Sequence, residues 1–239
     1  EKDKGINFSV KKQIVLKGEW ELAIREKGVS DSIGGNTHGD EVMTDVTLLV
    51  NGVRKDINTV ETFVCESLTL IVLSDLFRDN TVTPEGLVKF GTHLKYYTFT
   101  RDGMVVYQEV KHELATTLTF GYLSMLPIFR KDKSGLQITD EAYRDDEYKV
   151  YDVSTEGFTH KLYERTSGIK QAWIYGKESG ISATVEILDR NVWLPNENMR
   201  VDNPAAYNKF YFDFCGNEYK TEVGEVWKQR SRFKIDTAN

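Results

Sequence analysis

A glycine-rich stretch, GGNTHGDE at residues 34–41, carries residue types that can bind a metal ion. His38 and Glu41 have the H-x-x-E spacing, which lets an imidazole and a carboxylate bind one zinc ion, and the neighbouring glycines permit a tight turn. The alternative is a loop in which Asn36 and Asp40 form only local hydrogen bonds. The spacing predicts a candidate zinc site with His38 and Glu41 as ligands.

This stretch resembles the metal-binding H-x-x-E loop of zinc carboxypeptidases over its eight residues. The resemblance implies a metal-dependent hydrolase in which His38 and Glu41 hold the metal. That family has a doubly wound α/β fold, and the strand-rich pattern of this chain departs from it.

A second stretch, THLKYYTFTRDGMVVYQEVKHE at residues 92–113, is typical of a long β-hairpin and holds two of the four histidines. Asp102-Gly103 between two β-rich runs predicts a two-residue type I′ turn, because both central positions of that turn need a positive φ. The first pair of facing residues is then Arg101 with Met104.

The register of this hairpin decides whether its two histidines meet. With the two-residue turn, His93 lies directly opposite His112. A three-residue turn over residues 101–103, with a left-handed Gly103 and a bulge, would shift the register by one and put the histidines on opposite faces.

In the two-residue register, one hairpin face carries several polar or titratable side chains: His93, Lys95, Tyr97, Gln108 and His112. Such a face suits a glycan-binding cleft or a polysaccharide lyase, because an amide can polarise a uronate carboxyl group and His or Tyr can exchange protons near neutral pH. We therefore predict His112 or Tyr97 as the base and Gln108 or Asn36 as the group that neutralises the carboxyl. Asn36, His93 and Lys95 are predicted to bind the substrate. The other interpretation is a solvated polar side of a half-exposed sheet.

Gln108 and His112 also resemble the catalytic strand of jelly-roll polysaccharide lyases and concanavalin-like, lectin-type sandwiches. Those families have a Gln-x-His pattern, whereas here His112 follows Gln108 by four residues. The strand-rich composition is similar to that of excised modules of bacteriophage tail fibres and of secreted bacterial carbohydrate-active proteins.

The two stretches can also be combined. If the glycine loop folds over the hairpin, His38 and Glu41 meet His93 or His112 and form a zinc site with an open position for water.

Two weaker candidates are an acidic run and a set of aromatic residues. The acidic run could bind calcium, although its spacing is not that of an EF-hand and solvated surface is the alternative. The aromatic residues could stack on sugars or belong to the core. The acidic residues are Asp140, Asp145, Asp146 and Glu147, and the aromatic ones are Trp173, Tyr175, Trp193, Tyr207, Tyr211 and Trp227.

Composition excludes several classes of protein. Apolar residues make up 40% and aromatic residues 12% of the 239 residues, which is enough for a folded core. The net charge of -6 gives no general attraction to nucleic acid or to an anionic membrane. No apolar run is long enough to span a bilayer, so we expect no membrane insertion. The start, EKDKGINF, has no initiator Met, and we expect a soluble piece of a longer chain.

Motifs for other chemistries are missing from the sequence. There is no G-x-S-x-G elbow, no P-loop and no dinucleotide-binding fingerprint. Cys65 and Cys215 lie in strand-like runs and are too few for a disulfide framework, so we expect buried free thiols.

Alternating apolar and polar residues predict about a dozen strands and at most one short helix within residues 75–87. The polar residues 129–147 predict a long surface loop, with a domain seam as the alternative. Residues 116–128 are expected to form a central strand that Pro127 ends. This pattern predicts an all-β fold, an antiparallel two-sheet sandwich or jelly roll, with residues 1–239 in one domain. The predicted strands are 8–16, 19–25, 42–50, 53–57, 63–73, 148–153, 161–165, 171–175, 181–188, 207–215 and 225–235, besides the hairpin.

The sequence thus predicts a module that recognises a glycan or polysaccharide, with or without lyase activity, on an extracellular or virion surface. One alternative is a metal-dependent hydrolase that holds zinc or calcium. The other is a non-catalytic structural or receptor-binding module of a phage tail or secreted protein, as a homo-oligomer or as part of a larger chain.

Overall fold

A computed structural model describes residues 22–34, 41–59, 62–83, 86–144, 147–156, 159–164, 170–192, 194, 198–202 and 207–237. The elements within these ranges are all β-strands, which confirms the predicted all-β class. No helix in the described ranges is long and apolar enough to cross a membrane. In chain order the strands are β1 Ala23–Glu26, β2 Glu41–Val50, β3 Val53–Lys55, β4 Leu68–Thr83, β5 Gly86–Thr100, β6 Gly103–His112, β7 Thr117–Phe129, β8 Glu141–Arg144, β9 Glu147–Asp152, β10 Thr159–Glu164, β11 Gln171–Tyr175, β12 Ile181–Arg190, β13 Asn198–Asp202, β14 Tyr207–Lys220 and β15 Val226–Thr237.

The described strands form two antiparallel sheets. The five-stranded sheet has the order β1-β7-β14-β13-β10, and the ten-stranded sheet has the order β3-β2-β4-β5-β6-β15-β12-β11-β8-β9. Strands β5, β6 and β15 therefore lie side by side near the middle of the larger sheet.

The core lies between the two sheets. Val106 and Val185 of the ten-stranded sheet belong to the same apolar cluster as Leu126 and Phe210 of the five-stranded sheet. A second cluster centres on Trp227, which is fully buried. Because every other residue of a strand faces this core, the alternation in the sequence becomes a sandwich with one buried and one outer face per sheet.

A hydrogen-bonded group of polar side chains also joins the layers. Ser124 of β7 and Ser231 of β15 lie 2.5 Å apart at their hydroxyl oxygens. Gln229 donates to the hydroxyl of Ser124 at 2.5 Å and to that of Ser231 at 2.9 Å. All three residues are buried, so these bonds satisfy polar groups that would otherwise destabilise the core.

Several local predictions are wrong. The short helix expected within residues 75–87 is replaced, up to Thr83, by the long strand β4. The polar segment 129–147 contains the strand β8, so it is not one continuous loop. These segments follow their neighbours in the sheet, because ladder hydrogen bonds override weak local signals.

Pro127 does not end its strand, contrary to the sequence prediction. β7 continues to Phe129, and Pro127 pairs with Lys209 of β14. On its other side, β7 pairs with β1 only over Leu118–Tyr122. The missing N–H of Pro127 therefore costs no hydrogen bond to β1, which is how proline is tolerated within a sheet.

Two smaller predictions can also be compared with the structure. Val50 pairs with Val53, and the intervening Asn51 and Gly52 have φ values of 48° and 78°, as the predicted type I′ turn requires. Both cysteines are free thiols, but only Cys215 is buried, whereas Cys65 is half-buried. The strand predicted at residues 8–16 lies outside the described residues.

Candidate functional site

The hairpin of β5 and β6 presents two faces of different character. Thr100 pairs with Gly103, and the register continues without a break to Gly91 opposite His112. Odd-numbered residues of β5 and even-numbered residues of β6 point into the sandwich, whereas their neighbours point outward. The inner face holds the predicted site residues, and the outer face holds a set that the sequence analysis missed.

The turn of this hairpin differs from both predicted registers. The turn residues are Arg101 and Asp102, and Gly103 is the first residue of the returning strand, with a φ of 113°. A Cβ at Gly103 would lie 2.4 Å from the carbonyl oxygen of Phe233, so β15 approaches where only glycine fits. The register moves by two positions relative to the favoured prediction, which leaves every side chain on its predicted face.

The predicted pairing of His93 with His112 is therefore wrong. His93 lies opposite Val110, and His112 lies opposite Gly91. The two histidines share a face but have different surroundings.

On the inner face, His93 is the centre of a buried polar cluster. Its Nδ1 lies 3.1 Å from the carboxylate of Glu41, and its Nε2 lies 3.1 Å from the side-chain oxygen of Gln108. The amide nitrogen of Gln108 donates to the carbonyl oxygen of Leu123 in the opposite sheet. Lys95 donates to the same oxygen of Glu41 at 2.5 Å. We name Glu41, His93, Lys95 and Gln108 the inner polar cluster.

The electrostatics of the inner polar cluster are dominated by Glu41. Burial alone would raise the pKa of this carboxyl group, but the positive charges and hydrogen bonds of His93 and Lys95 outweigh burial and hold it well below its ordinary value. The side chain of Glu41 is only 6% exposed. The cluster thus links β2 by hydrogen bonds to β5, near the middle of the ten-stranded sheet.

His112 lies in an aromatic environment. Its ring contacts Phe90 at 5.3 Å and Trp227 at 4.4 Å between centroids, both edge-on. The residue is fully buried, and neither ring nitrogen has a hydrogen-bond partner. Burial lowers the pKa of His112 to about 4, against a smaller opposing effect of Glu225. His112 is therefore neutral at pH 7.

The outer face of the same hairpin combines aromatic rings with charges. Tyr96 of β5 and Tyr107 of β6 face each other with ring centroids 5.7 Å apart and an angle of 74° between the planes. The hydroxyl of Tyr107 donates to Glu109 at 2.8 Å, and Lys228 of β15 lies 3.0 Å from the same carboxylate. We name Tyr96, Tyr107, Glu109 and Lys228 the outer aromatic site.

The pKa values of Tyr107 and Glu109 keep the first neutral and the second charged at neutral pH. Burial and donation to Glu109 raise the pKa of Tyr107 to about 12. For Glu109, burial raises the pKa, but the hydrogen bonds from Tyr107 and Lys228 and the charge of Lys228 outweigh burial and hold the pKa below its ordinary value. At pH 7 the site offers an anionic acceptor, a cationic donor and partly accessible aromatic rings, which can bind sugar hydroxyls and the apolar face of a sugar.

The structure brings some predicted site residues together and separates others. Glu41 meets His93, as one combination of the two stretches proposed, and Lys95 and Gln108 join them. Tyr97 belongs to the apolar core and His112 to the aromatic environment. Asn36 and His38 lie outside the described residues. The catalytic, substrate-binding and metal roles given to all these residues stay predictions.

The hairpin face predicted to line a glycan-binding cleft is covered in the structure. His93, Gln108 and His112 are fully buried, and Lys95 and Tyr97 are nearly so. The inner face is buried because the five-stranded sheet packs against it. A single sequence shows which residues share a face, but not which face is covered.

The zinc site predicted at His38 and Glu41 stays a prediction, because His38 lies outside the described residues. Within the described part of the chain, no group of three or more His, Cys, Asp or Glu side chains could hold a metal ion. Of the acidic run, Asp140 accepts a hydrogen bond from the backbone of Lys177 at 3.2 Å. Asp145 and Asp146 lie outside the described residues.

The outer aromatic site could have been found from the sequence. Tyr96, Tyr107 and Glu109 alternate with the residues that were selected, so they form the other face of the same hairpin. The signal was the alternation itself, combined with the rule that binding residues need exposure. Lys228 lies more than a hundred positions further along the chain, and only the pairing of β6 with β15 brings it to Glu109.

Comparison with solved structures shows the fold. The alpha-galactosidase AgaB of glycoside hydrolase family 36 from Geobacillus stearothermophilus matches 92% of this chain with a TM-score of 0.53 and 9% identity. The related AgaA, in complex with stachyose, matches with the same TM-score and 10% identity. A galactose mutarotase-like protein from Lactobacillus casei matches 97% of this chain with a TM-score of 0.50 and 12% identity.

The coverage of these neighbours differs. This chain spans 30% of the length of each of the two alpha-galactosidases and 92% of the mutarotase-like protein. No protein-family model matches the sequence, and no curated protein matches it. The chain thus has the β-rich sandwich fold of sugar-related proteins, at an identity that shows the fold alone.

Proposed function

We propose that this chain is a carbohydrate-binding β-sandwich module that recognises a glycan through the outer face of its ten-stranded sheet. The observation that carries the proposal is the outer aromatic site, where Tyr96 and Tyr107 lie beside the paired charges of Glu109 and Lys228. Sugar-related structural neighbours support the same class of ligand.

The chemistry of the site fits a sugar. A sugar ring has an apolar face of C–H groups and an edge of hydroxyls, so it needs an aromatic surface with hydrogen-bonding groups beside it. Tyr107 is half-buried, which leaves ring surface for contact while its hydroxyl is held by Glu109. Glu109 and Lys228 have 29% and 45% of their side-chain surface exposed, so both remain accessible to hydroxyl groups.

A binding titration tests the proposal. The purified chain is titrated calorimetrically with a panel of glycans, starting with galactose-containing ones because the structural neighbours are named for galactose chemistry. We expect binding of at least one glycan. Tyr107→Ala should weaken it about tenfold, equivalent to about 1.4 kcal/mol. Tyr207→Ala, which removes a half-buried tyrosine from the five-stranded sheet, is the matched control and should leave binding unchanged.

Two results would contradict the proposal. One is the absence of binding to the whole panel. The other is binding that Tyr107→Ala and Glu109→Ala leave unchanged, because the glycan would then contact another surface.

An acidic polysaccharide belongs in the panel, with unsaturated-uronate absorbance as the readout of lyase activity. A rise that His112→Ala abolishes, in a variant that still folds, would favour the lyase instead.

A further inference from the structure

A second aromatic pair, Trp173 and Tyr175, lies on the same outer face of the ten-stranded sheet. Its strand β11 is four strands away from β5, which carries Tyr96. Trp173 and Tyr175 of β11 alternate with Ala172 and Ile174, which belong to the core. Both aromatic side chains therefore point outward, and both are half-buried. The function proposed above leaves these two residues unused.

The strand register gives the separation of the two aromatic pairs. Tyr107 pairs with Arg230 of β15. Trp173 pairs with Thr184 of β12, which in turn pairs with Lys234 of β15. The two positions are thus three strands apart across the sheet and four residues apart along β15. With about 4.8 Å between strands and about 3.3 Å per residue, they lie on the order of 20 Å apart on a diagonal.

The surface between the two aromatic pairs is polar and balanced in charge. Arg230 and Asp189 form an ion pair at 2.6 Å, with 52% and 53% of their side chains exposed. Arg232 and Glu186 form another at 3.1 Å. These groups can donate to and accept from hydroxyls, and their charges cancel in pairs. The surface therefore suits a neutral sugar chain better than an acidic one.

From this arrangement we infer that Trp173 and Tyr175 form a distal sugar-binding subsite. The face then binds a neutral oligosaccharide that runs diagonally from Tyr107 to Trp173, and not a single sugar. The diagonal of about 20 Å is longer than a single sugar ring, so a ligand that reaches both aromatic pairs must have several units. This inference rests on the proposed function, because it extends the same ligand along the same face.

A length series tests the subsite. The glycan that binds best in the panel is prepared as oligomers of one to six units, and the affinity of each is measured by calorimetry. We expect the affinity to rise about tenfold or more between two and four units and then to level off. Trp173→Ala should weaken binding of the four-unit oligomer about tenfold and leave that of the two-unit oligomer within about twofold. Tyr107→Ala should weaken both.

Two controls keep the test specific. Trp173→Phe retains an aromatic ring and should keep most of the affinity for the four-unit oligomer. Tyr207→Ala on the other sheet should change nothing. The thermal unfolding of each variant is measured first, so that a loss of binding is read only from folded protein.

The outcomes separate the two proposals. Affinity that is independent of length, or a Trp173→Ala variant that binds the four-unit oligomer as well as the original chain does, would overturn the distal subsite while leaving the proposed function in place. Tighter binding of an acidic oligomer than of its neutral counterpart would overturn the neutral-ligand part. No binding at any length would overturn the proposed function, and the subsite with it.

Discussion

The inner and outer faces of the β5–β6 hairpin use similar side chains for different purposes. Inside, His93 and Lys95 surround the carboxylate of Glu41 and are removed from water. Outside, Tyr107 and Lys228 surround that of Glu109 in contact with water. Residue type alone therefore does not define a site, because a charged group that is buried and paired stabilises the fold and is not accessible to a ligand.

The largest expected effect is on the free energy of unfolding, which an inner-face variant should lower far more than an outer-face variant. Tyr97→Ala removes a core side chain, so we expect it to lower the free energy of unfolding by about 3–5 kcal/mol. Tyr107→Ala removes a half-buried one and should cost less than about 1 kcal/mol. Urea denaturation measures both. Equal losses would mean that the two faces are not covered differently.

A charge deletion in the inner polar cluster should have the next largest effect. Lys95→Met leaves the buried carboxylate of Glu41 with one charged partner fewer, and we expect a loss of about 3 kcal/mol in unfolding free energy. Lys228→Met is the matched control in the outer aromatic site, where partial exposure to water limits the loss to about 1 kcal/mol or less.

A double variant shows whether the cost comes from the lost ion pair between Lys95 and Glu41. Adding Glu41→Gln to Lys95→Met removes the negative charge and keeps an oxygen that accepts from His93. The double variant should be more stable than Lys95→Met alone. If it is less stable, packing of the lysine stem explains the loss, and the ion pair does not.

The pH dependence of stability should report on His112. Its pKa is about 4 in the folded chain and 6.5 in the unfolded one, so the unfolded chain binds more protons between these values. The contribution of His112 to stability is therefore full above about pH 6.5 and is lost as the pH drops toward 4, by up to about 3 kcal/mol at about 1.4 kcal/mol per pH unit. Asp213, which is also buried, acts in the opposite direction over the same range, because burial raises its pKa to about 7. Unfolding free energies measured from pH 7 to pH 4 check this.

His112→Phe is the matching variant, since its ring can occupy the same aromatic environment without a titrating group. It should remove the His112 contribution, so its stability should fall less than that of the original chain between pH 6.5 and about 4.5. Below about pH 4.5, Glu41 adds a separate loss of stability. In the folded chain the pKa of its carboxyl group is lowered from 4.5, so the carboxylate stabilises the fold above pH 4.5, and this stability disappears as the carboxylate is protonated. An unchanged slope in His112→Phe would show that other groups cause the pH dependence.

The smallest expected effect lies in the outer aromatic site. Tyr107→Phe removes one hydrogen bond to Glu109, so the pKa of that carboxyl group should rise toward its ordinary value, with less than about 1 kcal/mol of lost stability. A carboxyl-carbon NMR titration of Glu109 measures this shift. No change in the titration would mean that Lys228 alone lowers the pKa.

Much of the fold could be predicted from the sequence. Alternating residues gave the strand content and the all-β class, and Asn51-Gly52 gave a type I′ turn, because these features depend on neighbours in the chain. The turn at Asp102-Gly103 was misplaced by one residue. Its position depends on β15, which approaches Gly103 closely and comes from the far end of the sequence.

The candidate site was predicted less well than the fold. The sequence grouped His93, Lys95 and Gln108 on one face, and the structure keeps that grouping. It also proposed that Glu41 could reach His93, which the structure shows at 3.1 Å. The outer aromatic site was missed because the prediction assumed that the polar residues of the other face are accessible to a ligand. Such groups are often buried when they are paired.

Which residues share a face therefore follows from the amino-acid order, since the two-residue period of a strand fixes it whatever the partner strands are. Which face is covered depends on a second sheet whose strands are distant in sequence, so it is set only in the folded chain. Burial against that sheet made His112 neutral and locked Glu41 to Lys95. The same packing left Tyr107 and Glu109 on the open side, where we propose that the glycan binds.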